Sequence, residues 1–502
     1  MTDRLISLAQ RVVPPRVQSM ALQPSTHQAL NVLVASLLSL LLLVLAQPRF
    51  ATALAEGHWL PLGGLVMVLG TVLALIVGYL RQYEATVVSS IRQLYLITLV
   101  VVGTLAAAWA FSVLRLDPFV SPLVACGMLL TVFVNSRVAL VISFPMALFL
   151  VQFPGHDGTS TLVSVMALMV AVYAVSRVQQ RYDVVRAGGI AALMAAWSVA
   201  ALFSLDGVTW QDWGLHAVSA AGSGFGSAIL VVGVLPLVED LFGITTTFKL
   251  LELASPSQPL LRELQMKAPG TYHHSILVGN LAEAAAEAIG ADALLVRVGA
   301  YYHDIGKTKR PYFFVENQLG MANQHDRISP RLSALVITAH VKEGLDMARE
   351  HNLPGIIQDF IATHHGTSLV SFFYHQAVQA EGQRQVQEEH FRYPGPRPRT
   401  RETGIVMLAD GVEASCRSLK HPTPEQIEAM VRKIVEKRLS DGELSEAPLT
   451  LKEIDKISAA FIRVLSGLFH QRIEYPDQVF RELRGGGIEM ELKGRRVAGL
   501  SK

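Results

Sequence analysis

Hydrophobic residues are unevenly distributed along this chain. Up to about residue 245 they come in long, nearly uninterrupted runs; beyond it they recur every three or four positions between charged residues. A run of about 18 or more apolar residues can cross roughly 30 Å of hydrocarbon as a helix that satisfies its own backbone hydrogen bonds. Eight such runs are read, at 29–46, 59–80, 92–113, 118–135, 137–153, 159–176, 188–205 and 215–238. The fourth and fifth are short and separated only by the region of Asn135, Ser136 and Arg137, so a re-entrant hairpin or one long broken span stays open there.

The second pattern predicts amphipathic helices, as in Ile276 to Ile289, Leu294 to Tyr302 and Leu332 to Ala348, and no strand-like run of comparable length competes. Ser329 followed by Pro330 reads as an N-cap with proline at the first helical position, so a helix is expected to start there. Pro394, Gly395, Pro396 and Pro398 among arginines predict a loop over about 384 to 404, with helices resuming at Gly404 to Leu419 and Pro424 to Leu439. The expected architecture is α-helical throughout. It comprises an N-terminal segment (1–28), a transmembrane domain of about eight helices (29–242), a juxtamembrane connector (243–262), an all-α bundle (263–480) and a basic tail (481–502). The tail holds Gly485, Gly486 and Gly487 and reads as poorly ordered.

Charge sets the topology. Over 502 residues, 43 Lys and Arg against 41 Asp and Glu leave a net charge of +2, which fits neither a polybasic nucleic-acid binder nor an acidic disordered chain, so no DNA or RNA polymer is expected as a partner. The first lysine is Lys249. Before it, arginines gather in alternate loops: Arg4, Arg11 and Arg16, then Arg81 and Arg92, then Arg137, then Arg177, Arg181 and Arg186; the other loops carry only Arg49 and Arg115. Basic residues near span ends resist translocation, so this bias marks the cytoplasmic side. Eight crossings then place the N-terminus and everything after about 240 in the cytoplasm of a multi-pass plasma-membrane protein, with Trp59, Trp210 and Trp213 at the opposite interface. About 28 residues precede the first run and no A-x-A-like site follows it, so it reads as a retained span.

Few ionisable side chains lie within the runs, which disfavours transport. Ser219, Gly222, Ser223, Gly224, Gly226 and Ser227 in the last run permit close helix packing, either within one subunit or in a homodimer. Cys126 and Cys416 can form at most one bridge, which excludes a disulfide scaffold and a Cys-rich zinc module.

The candidate chemistry lies in the second half. His274, the adjacent pair His303 and Asp304, His340, the adjacent pair His364 and His365, and Asp410 form a set of metal-ligand types. Imidazole with carboxylate suits Mn, Fe or Zn, and one carboxylate has two oxygens with which to bridge two cations. Both adjacent pairs sit at the ends of apolar helical stretches, where they can converge on one pocket while the helix bodies fill the core.

Tyr302 to Lys307 reads YHDIGK, and here the chain resembles the HD-domain phosphohydrolase superfamily, named for its adjacent histidine and aspartate. Around it stand APGTYHHS at 268–275, NLAEAAAEAIGA at 280–291, ISPRLSALVITAHVKEG at 328–344, THHGTSL at 363–369 and FRYPGPRPRTRETGIVMLAD at 391–410. Together these resemble the membrane-bound seven-transmembrane HD family, whose characterised members hydrolyse cyclic di-AMP; the resemblance spans roughly 59 to 480. It implies two divalent cations, Mn or Fe. His274, His303, Asp304 and Asp410 would hold one; Asp304, as a catalytic bridge, would hold the second with His340, His364 and His365. Lys307, the other residue given a catalytic role, would bind a phosphate oxygen or cap a helix end. His273, beside the family's HS element, reads as supporting, substrate-contacting or structural rather than as a ligand.

The implied reaction opens cyclic di-AMP, a second messenger, to linear pApA. Two cations about 3.5 to 4 Å apart would activate water and neutralise phosphate oxygens. One departure from the family stands out: only Gln47 to His58 lie between the first two spans, where relatives carry a large extracellular domain. Hydrolysis of cyclic di-GMP is the nearest alternative. Its well-known subgroup carries GYP after the paired histidines, whereas Gly366, Thr367 and Ser368 follow here. A deoxynucleotide triphosphohydrolase would leave the membrane half unexplained. A noncatalytic receptor would be expected to have lost a bridging ligand, and all seven are present.

Overall fold

The apolar and amphipathic helices fall into two units, Met1–Glu252 and Leu253–Lys502. The computed structural model describes residues 59–469 and a few positions just before them, apart from 177, 179, 319, 321, 420 and 421. The run at 29–46 and the tail from 481 lie outside the described residues.

The first unit contains α1 (Trp59–Tyr83), the short α2 (Ala85–Ser89), α3 (Ile91–Val113), α4 (Leu123–Phe133), α5 (Ser136–Leu150), α6 (Gly158–Val175), α7 (Arg181–Leu205) and α8 (Trp210–Phe242). Among the described residues five helices are long and apolar enough to cross a membrane: α1, α3, α6, α7 and the Trp213–Phe242 stretch of α8. The helix α7 starts before its apolar run because Asp183 accepts a hydrogen bond from the Gln180 N–H at 3.0 Å and so caps a polar first turn. At its other end, α8 stops at Gly243, whose φ of +59° is the left-handed conformation glycine adopts without strain.

The runs at 118–135 and 137–153 shorten in the structure. Pro118 and Pro122 precede α4, the chain breaks at Val134, and the Asn135 side chain caps α5 by accepting from the Val138 N–H at 2.9 Å. At 1.5 Å per residue these helices reach only ~16 and ~22 Å, less than the hydrocarbon thickness. Packed on each other, they form a hairpin and not one long broken span laid end to end. The helix α4 also packs on α6 and α8, so most of α4 is buried in protein. Whether such a hairpin crosses or re-enters, it adds an even number of crossings, and the side assigned to later segments is unchanged.

Small residues bring α7 and α8 together. A Cβ on Gly224 would lie 2.7 Å from the Ala192 nitrogen and 2.8 Å from its Cα, and one on Gly188 would lie 3.1 Å from the Gly224 carbonyl oxygen. Gly222 and Gly226 face open space. Outside, Leu60, Met67, Leu193, Trp197 and Leu215 are exposed, an apolar surface of the kind lipid covers.

In the second unit the described helices after α9 (Thr247–Leu253) are α10 (Pro259–Lys267), α11 (Pro269–Ile289), α12 (Ala293–Tyr302), α13 (Pro330–Glu350), α14 (Gly355–Thr363), α15 (Ser371–Glu381), α16 (Arg401–Arg417), α17 (Pro424–Ser440) and α18 (Leu451–Leu468). Short 3-10 turns join α12 to α13. No strand occurs among the described residues, only an isolated bridge between Leu369 and Arg392. Ser329 caps α13 with Pro330 first in the helix, as expected. The loop before α16 ends at Thr400 instead of 404, because Thr400 and Thr403 form a reciprocal cap that starts the helix three residues sooner.

At the centre, α11 packs on α12, α16 and α18 and buries Val278, Leu281, Ala282 and Ala285, and α16 is buried from Thr403 to Asp410. Tyr302 is fully buried and its hydroxyl donates to the Leu253 carbonyl at 2.8 Å, fixing the end of α12. Just beyond, Gly306 lies against the His340 carbonyl and the Gly344 nitrogen, where any Cβ would collide, so the turn after α12 seats directly on α13. Cys126 and Cys416 are both buried free thiols.

The α7–α8 contact yields a first prediction. Gly224→Val forces a side chain into the Ala192 backbone and is expected to destabilise the membrane unit by about 1–3 kcal/mol. Thermal unfolding in detergent reads this as a lowered Tm; an unchanged Tm contradicts the packing.

Candidate metal centre

Helix ends and helix faces deliver the candidate ligands to one buried point. His303 terminates α12 and His364 terminates α14, while His274, His340 and Asp410 project from within α11, α13 and α16. Asp304 sits between them, about 1% exposed. Its two oxygens face different imidazoles: Oδ1 is 3.3 Å from His340 Nε2 and 3.6 Å from His364 Nε2, whereas Oδ2 is 3.3 Å from His303 Nε2 and 3.7 Å from His274 Nε2. Ligand atoms of Asp304, His340, His364 and His365 lie within 4.8 Å of one another, as do those of His274, His303 and Asp304. Asp410 spans the two groups, with Oδ1 3.1 Å from His274 Nε2 and Oδ2 3.6 Å from His365 Nδ1.

Backbone and side-chain acceptors orient the rings. The Nδ1 atoms of His303 and His340 lie 2.6 Å from the carbonyls of Ala300 and Ile337, and that of His364 lies 2.9 Å from the Ile361 carbonyl. A carbonyl only accepts, so these contacts assign a proton to Nδ1, and any lone pair that such a ring offers is on Nε2. The Nε2 atoms of His340 and His364 are 3.2 Å apart. Two lone pairs at that distance repel unless something positive lies between them. His303 Nε2 and both Asp304 oxygens are buried without a well-formed hydrogen bond, although Lys307 Nζ approaches Oδ2 to 2.7 Å as an ion pair. Buried polar atoms left in this state are costly, and a divalent cation satisfies all of them, so the donor set fits a metal.

Electrostatics agree with this. Burial drives His340 down to about 3 against the opposing pull of Asp304, so the ring is neutral near pH 7 and can donate a lone pair. Burial likewise pushes His365 well below the usual imidazole range, with His364 adding to it. Burial alone would lower His303 too, but Asp304 and Asp410 overcome it and lift the ring to about 10. Carboxylates that favour a proton there equally favour a cation. Asp304 and Asp410, though buried, are held well below the ordinary carboxylate range by the surrounding imidazoles, and for Asp304 by Lys307 as well.

Lys307 is fixed rather than free, 3.0 Å from Glu316 Oε1 and 4.9 Å from the centroid of the Phe314 ring. Thr271 Oγ1 donates to the same Glu316 oxygen at 3.0 Å. His273 is exposed on α11 and belongs to neither ligand group.

The sequence reading missed three contributors. Glu413, 4% exposed, accepts from His274 Nδ1 at 2.5 Å; its place three residues after Asp410, on the same helix face, was the available signal. Glu316 holds Lys307, and Tyr393 stacks on His365 with ring centroids 4.2 Å apart. A cavity of about 430 Å³ opens on the cluster and is lined by His274, His340, His365, Asp410, Lys307 and Tyr393 among others.

Residues 59–246 match the family described as 7TM receptor with intracellular HD hydrolase, and residues 271–415 match the HD domain. The chain is thus similar to this seven-transmembrane HD family in both of its units, in the order that the description gives. It is 37% identical over 430 residues to cyclic-di-AMP phosphodiesterase PgpH of Bacillus subtilis, covering 83% of this chain and 60% of that protein. Against cyclic-di-AMP phosphodiesterase PgpH of Listeria monocytogenes the identity is 49% over 254 residues, 51% of this chain and 35% of the relative. The chain thus spans less than two thirds of either. A crystal structure of the Listeria monocytogenes PgpH HD domain in complex with cyclic-di-AMP is 46% identical, with a TM-score of 0.41, covering 43% of this chain and all of that one. The family matches bear out the resemblance read from the YHDIGK string and its surroundings, and an HD domain implies a divalent metal.

If Glu413 orients His274 for that metal, Glu413→Ala should lower the affinity for divalent cations about 10- to 100-fold. Metal retained after dialysis against graded chelator measures this directly. Retention equal to that of the unsubstituted protein contradicts the role.

Proposed function

We propose that this protein is a membrane-anchored phosphodiesterase that hydrolyses cyclic di-AMP to pApA at a centre of two divalent cations, Mn or Fe. The observation that carries the reading is the division of Asp304, one oxygen toward His340 and His364, the other toward His274 and His303. In this reading His274, His303, Asp304 and Asp410 hold one cation, and Asp304, His340, His364 and His365 the other. The names of the Bacillus and Listeria relatives support the substrate.

Bound cations at this position supply Lewis acidity, which lowers the pKa of water and neutralises charge on phosphoryl oxygens. The chain's own groups do the rest. Burial of Asp304 and His303 keeps bulk solvent from the ligand atoms, and the carbonyls of Ala300, Ile337 and Ile361 hold three rings with Nε2 facing inward. Lys307, braced by Glu316, places an ammonium on the cavity wall, where it can pair with a phosphate oxygen. Phe314, Val315, Ile337, Leu369 and Ile434 give the cavity apolar surface for nucleobases. Hydrolysis forms a bond from the water oxygen to phosphorus and breaks one phosphorus–3′-oxygen bond. The 3′-oxygen leaves with a proton derived from the water, and a 5′-phosphate remains on the linear dinucleotide.

The turn that follows the paired histidines supports cyclic di-AMP over the GYP-type cyclic di-GMP enzymes. What supports it is the sequence, Gly366, Thr367 and Ser368 where those enzymes carry GYP; the turn itself is fixed by Thr367, which donates from its backbone N–H and its hydroxyl to the two oxygens of buried Glu443, at 2.8 and 2.7 Å. The arginine bias of the loops supports a cytoplasmic N-terminus and a cytoplasmic HD domain.

The test is turnover by the purified full-length chain in detergent with Mn²⁺ and, in parallel, cyclic di-AMP and cyclic di-GMP. Formation of pApA, abolished by chelator, is expected, with little cleavage of the guanine analogue. Asp304→Asn should lower turnover by about 100- to 1,000-fold or more, the scale on which single electrostatic elements of an active site act. A metal-replete, folded protein that leaves cyclic di-AMP intact overturns the proposal, and full activity in Asp304→Asn overturns the bridging role.

A further inference from the structure

The cavity that opens on the ligand cluster is also lined by Arg417 of α16 and by Lys437 and Arg438 of α17. These cations differ in how far they are already neutralised. Arg417 Nη1 lies 3.5 Å from Glu413 Oε1. Neither Lys437 nor Arg438 forms an ion pair among the described residues; their side chains meet only hydroxyls, Lys437 Nζ at 3.5 Å from Ser371 Oγ and Arg438 Nη1 in a short contact with Ser368 Oγ.

Arg438 is the better anchored of the two. The Ser368 hydroxyl that accepts from it donates in turn to the carbonyl of His365, so the guanidinium is tied to the turn that carries the paired histidines. Its other flank lies over α16 beside Asp410. A Cβ on Gly411 would come within 3.8 Å of Arg438 Nη2 and 3.2 Å of Ile434 Cγ2, so glycine leaves this side of α16 open to α17. Two cations without a carboxylate partner thus share a cavity with the metal-ligand cluster.

A cyclic dinucleotide carries two phosphodiesters, each with one negative charge, and only one can occupy the reacting position at a time. We propose that Lys437 and Arg438 form the subsite for the second, non-reacting phosphodiester, so that the site selects ligands with two phosphates at a fixed separation. This rests on the proposed function and adds to it a determinant of substrate class. The planar guanidinium, held at Ser368, can present two N–H groups to one phosphate, while Lys437 contributes a point charge at the mouth.

The test is steady-state hydrolysis of cyclic di-AMP by the full-length chain carrying Lys437→Gln and Arg438→Gln together. The expected result is a rise in KM of about tenfold or more, as for loss of hydrogen bonds to a charged group, with kcat and bound metal little changed. The charge-conserving pair Lys437→Arg and Arg438→Lys should restore only part of the KM, since charge returns without the paired N–H groups at 438. An unchanged KM in the double variant overturns the subsite, as does a loss confined to kcat and metal content, which marks a structural effect. Should the double variant not fold, Lys437→Gln alone, at an exposed side chain, is expected to give a smaller rise in KM, and no rise overturns the subsite. If the unsubstituted protein itself leaves cyclic di-AMP uncleaved, it is the proposed function that fails, a result distinct from all of these.

Discussion

A carboxylate buried to 1% exposure with imidazole nitrogens on both oxygens is the constraint around which the second unit is organised. An ionised group taken out of water must be compensated or it loses its charge. Lys307 compensates Asp304 in part, at 2.7 Å, and Asp410 adds more negative charge to the same space. Two close acids, four inward-facing Nε2 atoms and one lysine leave room for further positive charge. That imbalance explains why the metal-ligand reading and the packing reading meet at this point: helix ends that would otherwise fill the core instead leave ligand atoms unsatisfied.

Holding such a set together takes rigid backbone. Tyr302 ties the end of α12 to the Leu253 carbonyl, Gly306 lets the next turn sit on α13, and Phe360 of α14 meets Gly299 of α12, where no larger residue fits. His303, His340 and His364 each bond a carbonyl three residues earlier in their own chain, so ring orientation follows from helix geometry. His274 is the exception, oriented by Glu413 from a different helix. Such a ring depends on the packing of α11 on α16 as well as on its own helix.

Much of this was legible in the sequence, and the failures have identifiable causes. The adjacent pairs His303–Asp304 and His364–His365 stood at the ends of apolar stretches, and the structure puts them at the C-termini of α12 and α14. Ser329 and Pro330 marked the start of α13 because a cap is a local device. Glu413 and Glu316 went unread because their partners lie 139 and 9 residues away, and only the fold brings the carboxylates to them. Lys437 and Arg438 look in sequence like an ordinary basic last turn, since lining a cavity with Asp410 is a property of helix packing. The runs around 118–153 were read as longer than their helices because apolar composition continues through Pro118 and Pro122 and past Leu150, where the backbone turns.

The most direct measurement of the central claim is anomalous diffraction from crystals of the protein loaded with Mn²⁺. The account predicts two peaks about 3.5 to 4 Å apart, one on each side of Asp304, the first near His274 and His303 and the second near His340 and His364. A single peak, or peaks that do not share Asp304, would contradict it.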